Sequence, residues 1–294
     1  MRWKTTRFDI ALDEPRVMGI VNVTPDSFSD GGLHADATAA LRHAEQLLKD
    51  GADMLDIGGE STRPGAPPLP LEDELARVLP VVREAVRWQV PVSVDTYKPE
   101  VMAAVLELGA DIINDIWGLR RTSSTGGPSA LEVVRHHPAC GVCLMHMHRD
   151  PQTMQLTPME GDVVPQVLLF LEQAAQALQG QGVPRNRIVL DPGIGFGKTV
   201  SQNFSLLARQ DELLAAGYPL LVGWSRKSSL GAALADAEGQ PAPPAARGTA
   251  SVAAALLAVE RGARIVRVHD VRETAEALAV WRAARMETGT PGNY

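Results

Sequence analysis

Hydrophobic positions along the chain fall into two kinds of run. Short, almost wholly apolar stretches occur at Val17–Val23, Met54–Ile57, Pro91–Val94, Ile112–Asn114, Gly141–Met145, Ile188–Leu190, Leu220–Val222 and Ile265–Val268. Their length and β-branched content predict parallel strands covered on both faces. Longer stretches lie between them: Ala35–Lys49, Leu71–Trp88, Pro99–Leu108, Ser129–His136, Asp162–Gln179, Ser201–Ala215, Arg247–Arg261 and Val271–Arg285. These read as helices, and Gly51, Gly109 and Gly262 follow the first, third and seventh of them as glycine C-caps. Eight strand–helix pairs predict an α/β chain folded as a single (β/α)8 TIM barrel, with its site at the C-terminal ends of the strands. An open doubly wound sheet would use the same alternation. The count of eight favours the barrel, and so do the polar residues after nearly every strand: Asn22, Glu60 with Thr62, Asp95, Asn114 with Asp115, His146, Asp191, Ser225 with Lys227, and Arg267 with His269. In a barrel those ends converge on one mouth, whereas in an open sheet only the pair at the switch point would meet.

One domain is therefore expected over residues 1–294, with its core at about 15–285 and a disordered tail at 288–294. Thr24–Gly32 and Ser61–Pro70 read as long loops after the first and second strands. Thr122–Pro128 and Asp236–Ala246 are polar or Pro-rich and are expected to be mobile. Composition narrows the classes further. The 45% hydrophobic content supports a substantial core, and the formal charge of −7 argues against a general nucleic-acid binder. The first ten residues carry charge without an apolar stretch, so no signal peptide is expected. The longest uncharged apolar run, Val252–Val259, is too short to span a bilayer. Two cysteines exclude a disulfide scaffold and point to a reducing, cytoplasmic setting.

The polar residues at the mouth suggest a ligand. Asp95, Asn114 and Asp191 can accept hydrogen bonds, and buried carboxylates need donor-rich partners. Lys227, Arg226, Arg267, His269, Arg63 and the Asn114 amide are donors. Together they suit a flat heterocycle with N–H groups along one edge and an acceptor on the other, faced by Ile116, Met145, Met147 and Phe196. A second group, Asn22, Ser61, Arg63, Arg267 and His269, suits an anion such as a diphosphate. Mg2+ would fit beside it through one asparagine, because this ion keeps most of its waters and shares phosphate oxygens.

Eight segments in register then resemble one family. They are Met18-Gly-Ile-Val-Asn-Val-Thr-Pro-Asp-Ser-Phe-Ser-Asp-Gly-Gly32, Asp56-Ile-Gly-Gly-Glu-Ser-Thr-Arg-Pro-Gly65, Ser93-Val-Asp-Thr96, Ile112-Ile-Asn-Asp-Ile116, Leu144-Met-His-Met147, Asp191-Pro-Gly-Ile-Gly-Phe-Gly-Lys198, Ser225-Arg-Lys-Ser228 and Arg267-Val-His-Asp270. This order resembles the dihydropteroate synthases, over nearly the whole chain. The resemblance implies a barrel that joins p-aminobenzoate to 6-hydroxymethyl-7,8-dihydropterin diphosphate and releases diphosphate. It implies pterin contacts at Thr62, Asp95, Asn114, Ile116, Met145, Asp191, Phe196 and Lys227. It places the diphosphate at Asn22, Arg63, Arg267 and His269, with Asn22 as the Mg2+ ligand. It places aminobenzoate at Phe28, Thr62, Arg63, Pro64 and Ser228, and the catalytic work at Asp30, Asp95, Lys227, Arg267 and His269. It also implies a homodimer through helices of the C-terminal half. Departures are few: Tyr97 and Trp224 stand where smaller residues are usual and are expected to bear on substrate fit, and Thr122–Gly127 lengthens one loop.

Plainer readings compete at several positions. Cys140-Gly-Val-Cys143 enters a strand and has no second cysteine pair, so it reads as two structural thiols rather than a redox or zinc motif. Pro192–Thr199 nearly spells a phosphate loop, but Pro192 replaces its first glycine, and a tight turn is the better reading. Asp191 could cap that turn. His146 and His148 read as hydrogen-bonded residues of the rim. Asp56 and Glu60 read as buried structural acids bonding loop amides, outside the site. The competing functions are a pterin-dependent methyltransferase domain, which needs no diphosphate site, and a non-catalytic pterin-binding paralogue. Asn22, Arg63, the Ser225–Ser228 segment and the Arg267–His269 segment argue for the synthase.

Overall fold

A computed structural model describes residues 1–23, 32–62 and 65–287. Two short strands, β1 (Arg2–Lys4) and β2 (Asp9–Ala11), pair antiparallel. Eight parallel strands follow: β3 (Arg16–Asn22), β4 (Met54–Gly58), β5 (Val92–Asp95), β6 (Ile112–Asp115), β7 (Gly141–Met145), β8 (Ile188–Asp191), β9 (Leu220–Val222) and β10 (Ala263–Val268). They close in the order β10-β3-β4-β5-β6-β7-β8-β9. The expected barrel is what forms. Its helices are α1 (Gly32–Lys49), α2 (Leu71–Ala85), α3 (Pro99–Glu107), α4 (Ala130–His136), α5 (Val163–Gly180), α6 (Val200–Ala208), α7 (Gln210–Leu213), α8 (Ser228–Ala233), α9 (Gly248–Glu260) and α10 (Val271–Glu287). Among the described residues no helix is long and apolar enough to cross a membrane.

Side chains alternate across each strand, so each strand feeds two compartments. One set, including Val17, Leu55, Val94, Ile113, Leu144, Leu190, Val222 and Val266, packs outward under the helices. The other set, Met18, Met54, Ile112, Cys143, Val189, Leu221 and Ile265, points inward and fills the lower barrel. Trp3 and Leu12 join this inner cluster, so the β1–β2 hairpin plugs the barrel floor. The packed body therefore begins at the first residues rather than near residue 15, because the indole of Trp3 is fully buried and donates to the Arg187 carbonyl at 3.0 Å. The two strands are too short for their pattern to be read locally.

Other boundaries move for identifiable reasons. The run from Leu71 is helical only to Ala85, continues as a short turn to Trp88, and stops where Gln89 takes φ 57. The run from Ser201 breaks at Arg209, with φ −113 and ψ 27, before the four-residue α7. Ser129 and Asp162 prove to be N-caps rather than helical residues, each side chain accepting a backbone N–H of the first turn. The 122–128 stretch, expected to be mobile, is pinned to α3: the Glu100 carboxylate accepts from Ser123 Oγ at 2.8 Å and from the backbone N–H groups of Ser124 and Thr125 at 2.6 and 3.1 Å. Of the loop expected over Thr24–Gly32, residues 24–31 lie outside the described residues and Gly32 already opens α1; the expected tail 288–294 also lies outside them.

Because Trp3 fills the barrel floor and its N–H is paired, Trp3→Ala should lower unfolding free energy by about 3–5 kcal/mol. Urea unfolding would read this, and a loss under ~1 kcal/mol would mean that the hairpin is a surface appendage.

Candidate active site

Two residues beyond the inner apolar layer, the same inward faces turn polar. Asp56, Asn114, Asp191 and Arg267 each stand two positions after an inward apolar residue, namely Met54, Ile112, Val189 and Ile265. Asp95 lies level with Asn114 and Gly58 in the strand register, and Gly58 lies level with Asn22. Asn22, Asp95 and Asn114 thus share one row, and Gly58 leaves that row without a side chain between Asn22 and Asp95. Arg267 organises the ring. Its Nε donates to Asp56 Oδ2 at 2.6 Å and its Nη2 donates to Asp95 Oδ2 at 2.8 Å. Asn114 Nδ2 donates to the same Asp56 oxygen at 3.2 Å, while Asp56 Oδ1 is buried without a hydrogen-bond partner.

An apolar wall stands over one side. Ile116, Met145, Met147, Met154 and Phe196 form a cluster of their own, with Tyr97 and Trp117 against it. Phe196 comes from the turn after β8. Gly193, Gly195 and Gly197 in this turn have φ of 68, 85 and 72, and a Cβ at Gly193 would stand 1.9 Å from the His146 carbonyl oxygen, so only glycine fits. Lys198 closes the turn from inside: Nζ donates to the Gly193 and Phe196 carbonyls at 2.9 and 3.2 Å and is 2.9 Å from His146 Nδ1. A lysine folded into its own loop cannot cradle a phosphate, and the segment is the tight turn expected of it. His146 is hydrogen-bonded, as expected, through Lys198, but it is buried against Phe170 rather than lying at the rim.

The charges respond to enclosure. Burial raises Asp95 to about 7, opposed by Arg267 and reinforced by Asp56, Glu74 and Asp115. Burial raises Asp191 to about 6 despite the Gly193 N–H, which donates to Oδ1 at 2.7 Å, and despite Lys227. Asp191 therefore caps the turn with one oxygen and keeps the other for the mouth. Burial lowers Lys227 to about 8, opposed by Asp191, and its ammonium lies 4.3 Å from the centre of the Phe196 ring. Arg267 stays charged throughout, since its two carboxylate partners outweigh its burial.

The expected residues divide into three sets. Asp95, Asn114, Asp191, Arg267, Ile116, Met145, Phe196 and Lys227 are brought together. His269 stands beside them, its Nδ1 at 2.9 Å from Ser225 Oγ. Thr62 is half-buried at the rim, and Ser228 is exposed as the first residue of α8. Phe28, Asp30, Arg63 and Pro64 lie outside the described residues. Asp56 departs from its expected role, because it bonds Arg267 and Asn114 inside the mouth and, among the described residues, no loop amide. Its spacing from Met54 was the available signal. Asp115, expected among the mouth groups, instead accepts the Trp117 and Leu119 backbone N–H groups at 2.8 and 2.7 Å. The Trp224 ring packs on Phe204 in the outer core, with ring centres 5.5 Å apart, rather than joining the apolar wall of the mouth. Cys140 and Cys143 are buried free thiols.

Among the described residues no group of three or more His, Cys, Asp or Glu is placed to hold a metal. Asn22, half-buried at the end of β3, supplies one neutral oxygen near the row. That donor set fits a Mg2+ held mainly by water and phosphate oxygens and does not fit an all-protein cage.

Known proteins are similar to this chain in sequence and fold. Residues 18–269 match the family described as pterin binding enzyme. The dihydropteroate synthase of Neisseria meningitidis serogroup C is 50% identical over 96% of each chain. The crystal structure of Burkholderia cenocepacia dihydropteroate synthase complexed with 7,8-dihydropteroate superposes with a TM-score of 0.85 at 49% identity, covering 98% of this chain and 97% of that one. The Xanthomonas albilineans dihydropteroate synthase with 4-aminobenzoic acid gives 0.85 at 46% identity, covering 97% and 99%. With an eight-stranded barrel, an inward acid–amide ring and similarity along almost its full length, the chain belongs to the pterin-binding enzymes, among the dihydropteroate synthases.

Proposed function

We propose that this mouth holds 6-hydroxymethyl-7,8-dihydropterin diphosphate and condenses it with p-aminobenzoate to 7,8-dihydropteroate and diphosphate. The observation that carries the assignment of roles is the inward ring of Asp95, Asn114 and Asp191, walled by Ile116, Met145 and Phe196. The ring offers acceptors for N–H groups along one heterocycle edge, and Lys227 offers a donor. The wall takes the flat face.

In the reaction the bond from the pterin methylene carbon to the diphosphate oxygen breaks, and a bond from that carbon to the aniline nitrogen forms. The aniline gives up one proton, which leaves with the diphosphate or to water. Positive charge developing on the pterin is stabilised by Asp95, with Asp30 as its second carboxylate. His269 and the free side of the Arg267 guanidinium meet the departing anion, while Asp56 and Asp95 hold Arg267 in place. Mg2+, held through Asn22, would add positive charge at that anion. Arg63 and Ser228 receive the aminobenzoate carboxylate, with Phe28, Thr62 and Pro64 around its ring. No covalent enzyme intermediate is required, and electrostatics drive the displacement. The chain would work in the cytoplasm, where its buried thiols stay reduced. It would do so as a homodimer through its C-terminal helices, where Leu257 and Val280 stand 45% and 71% exposed.

The direct test is diphosphate release by the purified protein with the pterin diphosphate and Mg2+, with and without p-aminobenzoate. Release that yields dihydropteroate only when both are present supports the reading, and pterin binding with no release under any condition defeats it. Lys227→Ala should lower kcat and pterin affinity together, by about 1.5–3 kcal/mol, the scale of a charge-assisted hydrogen bond. Asp191→Asn should weaken pterin binding by no more than ~3 kcal/mol; unchanged affinity, read by calorimetry, would leave Asp191 only its turn-capping role. For pH, the required forms are ionised carboxylates and a protonated Lys227. Activity should therefore climb as Asp191 and Asp95 lose protons near pH 6 and 7, and fall above about 8 as Lys227 loses its own. A kcat/KM profile flat from pH 5 to 9 would contradict these assignments.

A further inference from the structure

A second buried charge cluster lies beside the mouth, outside the ring just described. Lys98 Nζ bonds the carboxylates of both Glu60 and Glu74. The three side chains are 14%, 9% and 1% exposed. Thr96 Oγ1 donates to Glu74 Oε1 at 2.7 Å, and Tyr97 OH donates to Glu60 Oε1 at 2.8 Å. Two chain segments meet here. One runs from Asp95 at the end of β5 to Lys98. The other leaves β4 at Gly58 and reaches Thr62 two residues after Glu60. The second segment is also gripped from α2: Arg77 Nη1 donates to the Gly59 carbonyl at 3.0 Å, and a Cβ at Gly59 would stand 2.7 Å from Val78 Cγ2. Beyond Glu60 the grip ends, with Ser61 exposed and Thr62 half-buried.

Two buried carboxylates around one ammonium are costly to assemble, and isolating any member is costlier still. Glu74 acts on Asp95 through space, but among the described residues the cluster's side-chain hydrogen bonds run only among Glu60, Glu74, Thr96, Tyr97 and Lys98, so a purely local stabilising purpose leaves its place unexplained. Its place is the junction between the segment that carries Asp95 and the segment that carries Thr62.

We propose that Lys98 is a positioning residue: by holding Glu60 and Glu74 together, it fixes Thr62 relative to Asp95, and so fixes where the second substrate is met. This rests on the function proposed above. Asp95 keeps its own anchor in Arg267, so the pterin edge it carries depends on Lys98 less than Thr62 does. Thr62 has no such second anchor among the described residues.

The test is Lys98→Met, with Lys98→Arg beside it as the variant that keeps the cation. Lys98→Met should raise KM for p-aminobenzoate by on the order of tenfold, the scale of releasing one buried charge-assisted anchor, with clearly smaller changes in kcat and pterin diphosphate affinity. Lys98→Arg should recover most of that loss. If Lys98→Met does not fold, Lys98→Met/Glu74→Gln removes one of the two stranded acids and should show the same selective rise in KM. A parallel measurement needs no substrate. Backbone amide exchange over residues 59–62 should quicken in Lys98→Met while the amides of α3 are unchanged. An unchanged KM, or equal losses of KM, pterin affinity and α3 protection that arginine does not repair, overturns the proposal. If the parent makes no dihydropteroate but 59–62 still loosens selectively, the anchoring stands and the assigned reaction is what fails.

Discussion

The mouth of this barrel depends on a single guanidinium. Arg267 lies between Asp56 and Asp95, and without it these two inward carboxylates would face each other in a space closed below by apolar side chains. Paired this way, the ring can be acidic and still fold. Removing one member of such a buried set leaves an uncompensated charge, which is why breaking a buried pair costs far more than its net contribution suggests. The same cation restrains the Asp95 carboxylate that would stabilise positive charge on the substrate. On the proposed roles, one guanidinium would serve both the stability of the upper barrel and the electrostatics of the reaction.

The remaining architecture separates these demands by height. Below the ring, Met18, Met54, Ile112, Val189, Leu221 and Ile265 fill the barrel, with Trp3 as the floor. Above it stands an aromatic and thioether wall, and its Phe196 hangs on a turn that needs three left-handed glycines and the inward-folded Lys198. Strand alternation makes the layering possible, because a shift of one residue along any strand would carry its polar group out under the helices. Asp115 shows the rule: one residue after the inward Asn114, it faces the other way and serves loop amides instead.

Much of this was legible in the residue pattern. Eight apolar runs separated by helical runs specify the barrel, and the polar residues that close each run mark its mouth. Gly51, Gly109 and Gly262 take φ of 105, 96 and 91, as C-cap glycines do. The β1–β2 hairpin was not legible, since two three-residue strands carry no measurable period and Trp3 becomes a core residue only once there is a barrel to close. Trp224 was misplaced for a similar reason: its neighbours in sequence are mouth residues, but its ring falls on the outward side against Phe204.

Local pattern by itself determined the strand–helix alternation and, through the period of two, the face on which each polar side chain lies. The partners were decided elsewhere. Arg267 meets Asp56 and Asp95 across 211 and 172 residues of chain, and Lys98 meets Glu60 and Glu74 across 38 and 24. Such meetings follow from barrel closure and from the relative register of strands. Both are set by the packing of all eight strands at once, so no local run of residues contains them. The sequence alone thus named most groups of the candidate site and, by its spacing from Met54, held the signal for Asp56, while the closed tertiary structure decided which charges neutralise which.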